Sequence, residues 1–330
     1  MKAMSRINQK ACLSIVLPNY NHADYLPMTL DSILEFQDRI REIVVCDDAS
    51  TDDSWKILTE YASVHPLIRL IRNEKNLGAM ENIRLLLKEA SGEFVMVQAA
   101  DDYWIPEGMG RILDVLCSSR YPEVSFYCGR NLYRIEAENY CYEIPAEFPE
   151  GVSAPGSVAR FRRRAPWGAA GMIAKTALYR DLFETLIPSG SYYDRFMQLL
   201  LAERHPIYFL NGTIATMRIM PRNFSRNAGG KEKDRAFLLL FRMMKTEYRD
   251  LYLDMLKSNH FADYEGMYSF LIRTPSVWDE YTPLILLRMT PCLLYRNFRY
   301  RLLPGILPGA LKRCYRTWKQ KKMLTKQEKT

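Results

Sequence analysis

Four short apolar runs, Leu13–Leu17, Glu42–Cys46, Ile68–Ile71 and Phe94–Gln98, start at positions 13, 42, 68 and 94 and so recur every 26 to 29 residues. Each gap holds one segment with helical periodicity. Leu26, Leu30, Ile33 and Leu34 share a face in the first, Trp55, Leu58 and Ala62 in the second, and Ile83, Leu86, Leu87 and Ala90 in the third. Asp52 or Asp53 stands where the second helix needs a cap. A strand–helix–strand repeat of this length builds successive βαβ crossovers and hence a parallel sheet flanked by helices.

In such a sheet the loops after the strands share one edge, and ligands bind outside the carboxyl ends of the strands. The loops here are polar and turn-forming. They are Pro18-Asn19-Tyr20-Asn21, then Asp47-Asp48-Ala49-Ser50-Thr51-Asp52, then Asn73 through Asn76-Leu77-Gly78, and finally Asp101-Asp102. Paired acids on a strand-following loop suit a hard divalent cation, because Mg²⁺ or Mn²⁺ is held by one or two carboxylates while phosphates and water complete the shell. The competing reading is that Asp101-Asp102 shape a turn before the helix that opens at Pro106. Asp48 on the same rim favours the ligand site.

Past Pro106 the pattern predicts a helix with Met109, Ile112, Leu113 and Leu116, then a strand at Val124–Cys128 and a hairpin-and-loop region over 130–165. A helix near 176–186, a helical run Phe196–Ala202 and two strands, Tyr208–Leu210 and Ile214–Met217, follow. Asn227-Ala228-Gly229-Gly230 reads as a linker, after which a long amphipathic helix is expected at about 232–257. Its stripe of Phe237, Leu240, Met244, Tyr248, Leu251 and Met255 suits a core or a subunit contact, the latter implying a homo-oligomer. The predicted division is 1–228 for the main domain, with halves 12–110 and 111–228, and 229–330 for a mainly helical basic extension.

The formal charge is +8, and residues 281–330 carry twelve Lys or Arg against one acid, Glu328, so the rest of the chain stands at −3 (8 − 11). Within that tail, apolar pairs such as Leu293-Leu294 and Leu302-Leu303 alternate with Arg288, Arg296, Arg299 and Arg301, and Pro283, Pro291, Pro304 and Pro308 interrupt it. This pattern suits peripheral contact with an anionic membrane rather than a spanning helix; a tail packed on its own domain is the alternative. Nothing in it resembles a nucleic-acid recognition module. The seven cysteines lack C-x-x-C spacing, which points to reduced thiols and a cytoplasmic location on the inner face of the membrane.

Ser14-Ile15-Val16-Leu17-Pro18-Asn19-Tyr20-Asn21, Val44-Val45-Cys46-Asp47-Asp48-Ala49-Ser50-Thr51-Asp52, Asn76-Leu77-Gly78 and Ala100-Asp101-Asp102, in that order, resemble the family 2 glycosyltransferases of the GT-A fold. The strong part of the likeness covers 12–110, and a weaker continuation runs to about 225. The resemblance implies an α/β, Rossmann-like, mostly parallel sheet and an inverting transfer of sugar from a nucleotide-sugar. The donor would be a UDP-sugar and the acceptor a saccharide hydroxyl of a polysaccharide or a lipid-linked oligosaccharide. It also implies site residues. Pro18, Asn19, Tyr20, Asp48 and Gly78 would border the nucleotide, Asp101 the ribose and sugar, and Asp102 the Mn²⁺ or Mg²⁺ on the diphosphate. Many relatives carry a further Asp where this chain has Ala99.

The base that takes the acceptor proton would be Asp194, although that residue also reads as the N-cap of a helix at 195–203. Glu184 and Glu203 fit helix surfaces and are poorer choices. Trp167 and Gly168 resemble the segment beneath the acceptor, with a core Trp as the alternative. Arg218, with Arg222, Asn223 and Ser225, resembles the late loop near the donor diphosphate or forms a surface basic loop. Arg160, Arg162, Arg163 and Arg164 suit a solvated face. A nucleotidyltransferase that makes sugar-nucleotides would need a Gly-rich phosphate loop after the first strand, which is missing. A non-catalytic nucleotide-binding membrane adaptor is the other alternative.

Overall fold

The computed structural model describes residues 12–118, 120–143, 148–156, 170–220, 230–246 and 249–250. The chain divides into two compact units, Met1–Val158 with Ala165–Glu232 and Ala159–Arg164 with Lys233–Thr330. In the first unit β1 (Leu13–Asn19), α1 (Leu26–Leu34), β2 (Ile40–Asp47), α2 (Ser54–Val64), β3 (Ile68–Arg72), α3 (Ala79–Glu89) and β4 (Phe94–Val97) alternate as the periodicity predicts. They are followed by β5 (Tyr103–Trp104), α4 (Pro106–Cys117), β6 (Phe126–Ile135), β7 (Tyr140–Glu143) and β8 (Gly151–Ser153). Then come β9 (Ile173–Lys175), α5 (Thr176–Leu186), α6 (Tyr193–Arg204) and β10 (Ile207–Ile219). The helix α7 (Gly230–Thr246) follows and carries Phe237 and Phe241 as buried residues.

The strands form one sheet in the order β3-β2-β1-β4-β9-β6-β10-β5, with β7 on β6 and β8 on β10. Pairing is parallel from β3 to β4, β9 then runs antiparallel to both β4 and β6, and β6 pairs parallel with β10. This is the GT-A architecture. The central strands β1 and β4 and the second half of β2 are almost fully buried and mostly apolar, as expected of a sheet covered on both faces, whereas β3 at the edge is largely part-buried or exposed. One core layer joins Leu13, Ile15 and Leu17 to Leu30 and Ile33 of α1 and to Met109, Ile112 and Leu113 of α4.

Two strand boundaries differ from the sequence expectation. The strand expected at Val124–Cys128 begins at Phe126 and continues to Ile135. Its later half carries Arg130 and Arg134, whose charges mask the strand pattern and are neutralised by Glu143 and Glu136. The runs Tyr208–Leu210 and Ile214–Met217 are parts of one strand, β10, whose register against β6 shifts between Leu210 and Thr213 and again between Thr213 and Ala215. Asn211-Gly212 is thus an irregularity inside a strand rather than a turn.

The amino edge of the sheet is fastened by a polar cluster. Glu42 Oε1 accepts hydrogen bonds from the Ser14 hydroxyl (2.6 Å), the Ser91 amide (2.6 Å) and the Ser91 hydroxyl (2.8 Å), while Arg69 lies 3.5 Å from Oε2. Burial by itself would raise the Glu42 pKa; these donors and the Arg69 charge outweigh it and hold the carboxyl below its ordinary value. A depressed carboxylate stabilises the fold above its unfolded pKa, and that contribution is lost as the pH falls. Glu42→Gln is expected to lose about 1–2 kcal/mol at neutral pH, the scale of hydrogen bonds to a charged group. In urea unfolding, the gap between wild type and variant should shrink as the pH drops below about 4.5, the ordinary glutamate value.

Candidate active site

The loops after β1 and β2 are stitched together by side chains. Asn19 Nδ2 donates to Asp47 Oδ1 (2.9 Å) and approaches Ser50 Oγ (3.2 Å), and the Ser50 hydroxyl accepts from the Asn21 amide (3.0 Å). Asn21 Oδ1 accepts from the Thr51 amide (2.8 Å), and Asp52 Oδ2 accepts from the Ala23 amide (3.0 Å). Asp52 Oδ1 also takes the amide of Ser54, the first residue of α2 (3.0 Å), while Asp53 occupies the N-cap position without a side-chain cap bond. Asn21 and Ala49 both sit at positive φ, 57° and 58°. Asn tolerates that conformation; Ala adopts it at a cost that the surrounding bonds must cover.

Asp48 is 1% exposed and its carboxylate is occupied by its own chain. Oδ1 accepts from Asn73 Nδ2 (2.7 Å) and the Leu77 amide (2.9 Å), and Oδ2 accepts from the Gly78 amide (2.9 Å). Gly78 has φ 86° and ψ 159°, with nothing within 4 Å of where a Cβ would stand, so the backbone conformation rather than crowding demands glycine there. Asp48 therefore shapes the 73–78 loop. Beside it lies a recess of about 440 Å³ lined by Ala49, Arg72, Asn73 and Glu74. Arg72 is set there by Asp47, 3.4 Å from its Nε, and by the Trp55 ring, 4.8 Å from its Cζ. Pro18 is half-buried at the register of Cys46, and Tyr20 is 42% exposed at the rim.

The aspartate loop is built from within the core. Gln98 Nε2 reaches the carbonyls of Ala99 and Asp102 (both 3.0 Å), and its Oε1 accepts from Trp104 Nε1 (2.8 Å). The Thr29 hydroxyl lies 2.9 Å from the carbonyls of both Ala100 and Asp102, sharing its one proton between them. Asp102 is 6% exposed, and its Oδ1 accepts from the backbone amide of Arg218 at the end of β10 (2.8 Å). Burial raises the pKa of Asp101, opposed by the charges of His22 and Arg218. Burial, then the charge of Asp101, raises that of Asp102 well above the ordinary value, against the Arg218 amide and charge. Two adjacent acids that are costly to ionise together form a place where a cation is stabilising. Among the described residues no three His, Cys, Asp or Glu side chains converge, so the protein would offer one or two carboxylates, the donor set expected for Mg²⁺ or Mn²⁺ shared with a phosphorylated ligand.

Arg218 is 10% exposed, and its Nη1 lies 3.2 Å from Glu136 Oε1. Its Cζ stands 5.0 Å from the Tyr25 ring and 5.1 Å from the Tyr103 ring. Asp194 is half-buried in the first turn of α6, which begins at Tyr193, so it lies inside the helix rather than at its cap. The helix order puts it on the carboxyl side of the sheet. Arg180 of α5 bonds the Leu87 carbonyl near the end of α3 (2.7 Å), and Glu184 pairs with Arg84 nearer its start (2.8 Å). Thus α5 climbs against α3 towards the rim, and α6 starts there. Glu184 is engaged in that surface pair. Trp167, Gly168, Arg160, Arg162 to Arg164, Arg222 to Ser225 and the basic tail lie outside the described residues.

Sequence reasoning overlooked Thr29, Gln98, Arg72 and His22. Thr29 and Gln98 lie within a helix and at a strand end with no motif to mark them, and their importance arises from what they hold.

The family model for glycosyl transferase family 2 matches residues 14–181. A putative teichuronic acid biosynthesis glycosyltransferase, TuaG of Bacillus subtilis, is 30% identical over 109 residues, 33% of this chain and 43% of that protein. WfaP of Escherichia coli, a UDP-Glc:α-D-GlcNAc-diphosphoundecaprenol β-1,3-glucosyltransferase, is 34% identical over 93 residues, 28% of this chain and 36% of that one. The chain spans about two fifths of the length of these curated relatives. Among solved structures, S. aureus TarS 1-349 in complex with UDP-GlcNAc superposes with a TM-score of 0.58 at 16% identity, covering 92% of this chain and 91% of that one. The mannosyltransferase PcManGT of Pyrobaculum calidifontis, in complex with GDP-Man and Mn²⁺, does so with 0.51 at 17% identity, covering 87% and 82%. With its four rim loops, adjacent rim aspartates and GT-A sheet, and a family match over 168 of 330 residues (14 to 181), the chain belongs to glycosyl transferase family 2.

Proposed function

We propose that this protein is a metal-dependent, inverting glycosyltransferase that moves a sugar from a UDP-sugar to a saccharide hydroxyl. The observation that carries the reading is the Asp101-Asp102 pair, half-buried and buried respectively, held at the carboxyl edge of the parallel strands, the edge that also carries the recess at Asp48. Asp102, with one oxygen committed to the Arg218 amide, offers the other to Mn²⁺ or Mg²⁺. A bound divalent ion supplies charge stabilisation for the departing nucleoside diphosphate. Asp101 faces the ribose and the sugar. The recess formed by Ala49, Arg72, Asn73 and Glu74 receives the nucleoside, with Pro18, Asn19, Tyr20 and Gly78 on the neighbouring loops of the same rim, and Asp48 keeps the 73–78 loop in place.

Asp194 takes the proton of the attacking hydroxyl, so that attack comes opposite the leaving group and inverts the anomeric centre. Its place in the first turn of α6, at the rim of the sheet, supports that role. Trp167 and Gly168 would lie beneath the acceptor. The activity that WfaP is named for supports both a UDP-sugar donor and a lipid-linked saccharide acceptor, and that of TuaG supports a surface polysaccharide. An acceptor of that kind agrees with a basic tail bound to the inner face of the cytoplasmic membrane. No helix among the described residues is long and apolar enough to span one.

Asp102→Asn is expected to abolish metal-stimulated hydrolysis or transfer of the donor, and Asp194→Asn to retain UDP binding while transfer falls by a factor of 10² or more, on the order of a lost general base. Radiolabelled donor assays with and without chelator check both; near-wild-type turnover in either variant would refute that residue's role. Removal of residues 281–330 should release the protein from anionic liposomes in a sedimentation assay, and undiminished binding would show that the tail is not the membrane contact.

A further inference from the structure

We propose that Arg218 is a positioning residue for Asp102 rather than a ligand of the donor phosphates. The inference rests on the reading that Asp102 holds a divalent cation on the donor diphosphate. The backbone amide of Arg218 is the hydrogen-bond donor to Asp102 Oδ1 at 2.8 Å, across 116 positions of sequence. That bond has the right direction only while the end of β10 stays in place; its ladder with β6 runs through Ile219, and the Arg218 side chain adds anchors of its own beside the bond. Nη1 pairs with Glu136 at the end of β6 (3.2 Å), and Nη2 meets the Met28 sulfur of α1 (2.6 Å). The guanidinium also packs against Tyr25, which precedes α1, and Tyr103 of β5.

These four anchors come from three separate parts of the chain, and Glu136 is itself held by Arg134 at 3.0 Å. A phosphate-gripping arginine presents its planar fork of donors outward. Here the fork faces a carboxylate and a thioether between two aromatic rings, and the side chain is 10% exposed. Cation–π packing of this kind, partly desolvated, adds to the ion pair in holding the side chain in this orientation. The same cation faces both Asp101 and Asp102, so it offsets their mutual repulsion while the amide orients one of them.

The role predicts a particular split. A direct phosphate ligand would contribute to nucleotide affinity whether or not metal is present. A residue that orients the metal-binding carboxylate would contribute only when metal is present. The test is calorimetric titration of UDP into the full chain with excess Mn²⁺ and with EDTA, for wild type, Arg218→Met, Arg218→Lys and Glu136→Gln.

The expected result is that Mn²⁺ tightens UDP binding in wild type and that this gain falls about tenfold or more in Arg218→Met, the usual scale for losing a partner of a metal ligand. Arg218→Lys and Glu136→Gln should fall in between, with affinity in EDTA unchanged throughout. Equal losses with and without Mn²⁺ would overturn the proposal in favour of a direct phosphate contact, and wild-type behaviour in both Arg218→Met and Glu136→Gln would overturn it outright. If Arg218→Met does not fold, Glu136→Gln, on a part-exposed side chain, carries the same comparison. Absence of any Mn²⁺-dependent gain in wild type would instead refute the metal-dependent reading beneath it.

Discussion

Two neighbouring carboxylates held away from water repel each other, and in a folded chain they stay there only if the surrounding structure fixes them or a cation joins them. Asp101 and Asp102 impose that condition on the site. Gln98 and Thr29 clamp the carbonyls of their loop, Trp104 locks Gln98, and the end of β10 holds Asp102. Each of these groups lies on an element whose other face belongs to the core, so the loop inherits the rigidity of the sheet. Among the described residues the arrangement builds no closed cage for a cation. Under the proposed function, that suits a metal that arrives with its phosphorylated ligand and leaves with it.

The Asp48 side of the rim follows a different principle. Asp48 meets three donors from the 73–78 loop, and the loops after β1 and β2 are joined by hydrogen bonds between side chain and backbone and between side chains. These are local, short-range closures between consecutive βα units. They make a fixed wall, with Gly78 at a positive φ as its corner. A wall of this kind fixes shape, while the residues lining the recess, Arg72, Asn73 and Glu74, face whatever enters.

Most of the donor half was legible in the sequence because each strand there is a short apolar run followed by a polar loop, and parallel topology brings all such loops to one edge. Asp101 and Asp102 could be located at that edge without coordinates. Asp48 was legible as a rim residue, but its saturation by Asn73, Leu77 and Gly78 was not, since nothing in the spacing says which loop a carboxylate will face. The same holds for Arg218. Its charge reads as a phosphate contact, whereas the fold turns the guanidinium towards Glu136 and two tyrosines. The stretch 111–228 is harder to read because β6 and β10 carry charges and a register shift in mid-strand, features that disguise strands as loops. Asp194 is legible only as an acid before an apolar helix, and it takes the antiparallel course of α5 and α6 to bring it to the rim.

The central claim is that the aspartate pair receives a cation together with a nucleoside diphosphate. Thermal unfolding of the full chain with UDP, GDP, ADP, CDP and the matching monophosphates, each with Mn²⁺ and with chelator, tests it most directly. The account predicts that UDP raises the melting temperature most, that the rise requires Mn²⁺, and that UMP gives little. A rise with UDP that persists in chelator, or no response to any nucleoside diphosphate, would contradict it.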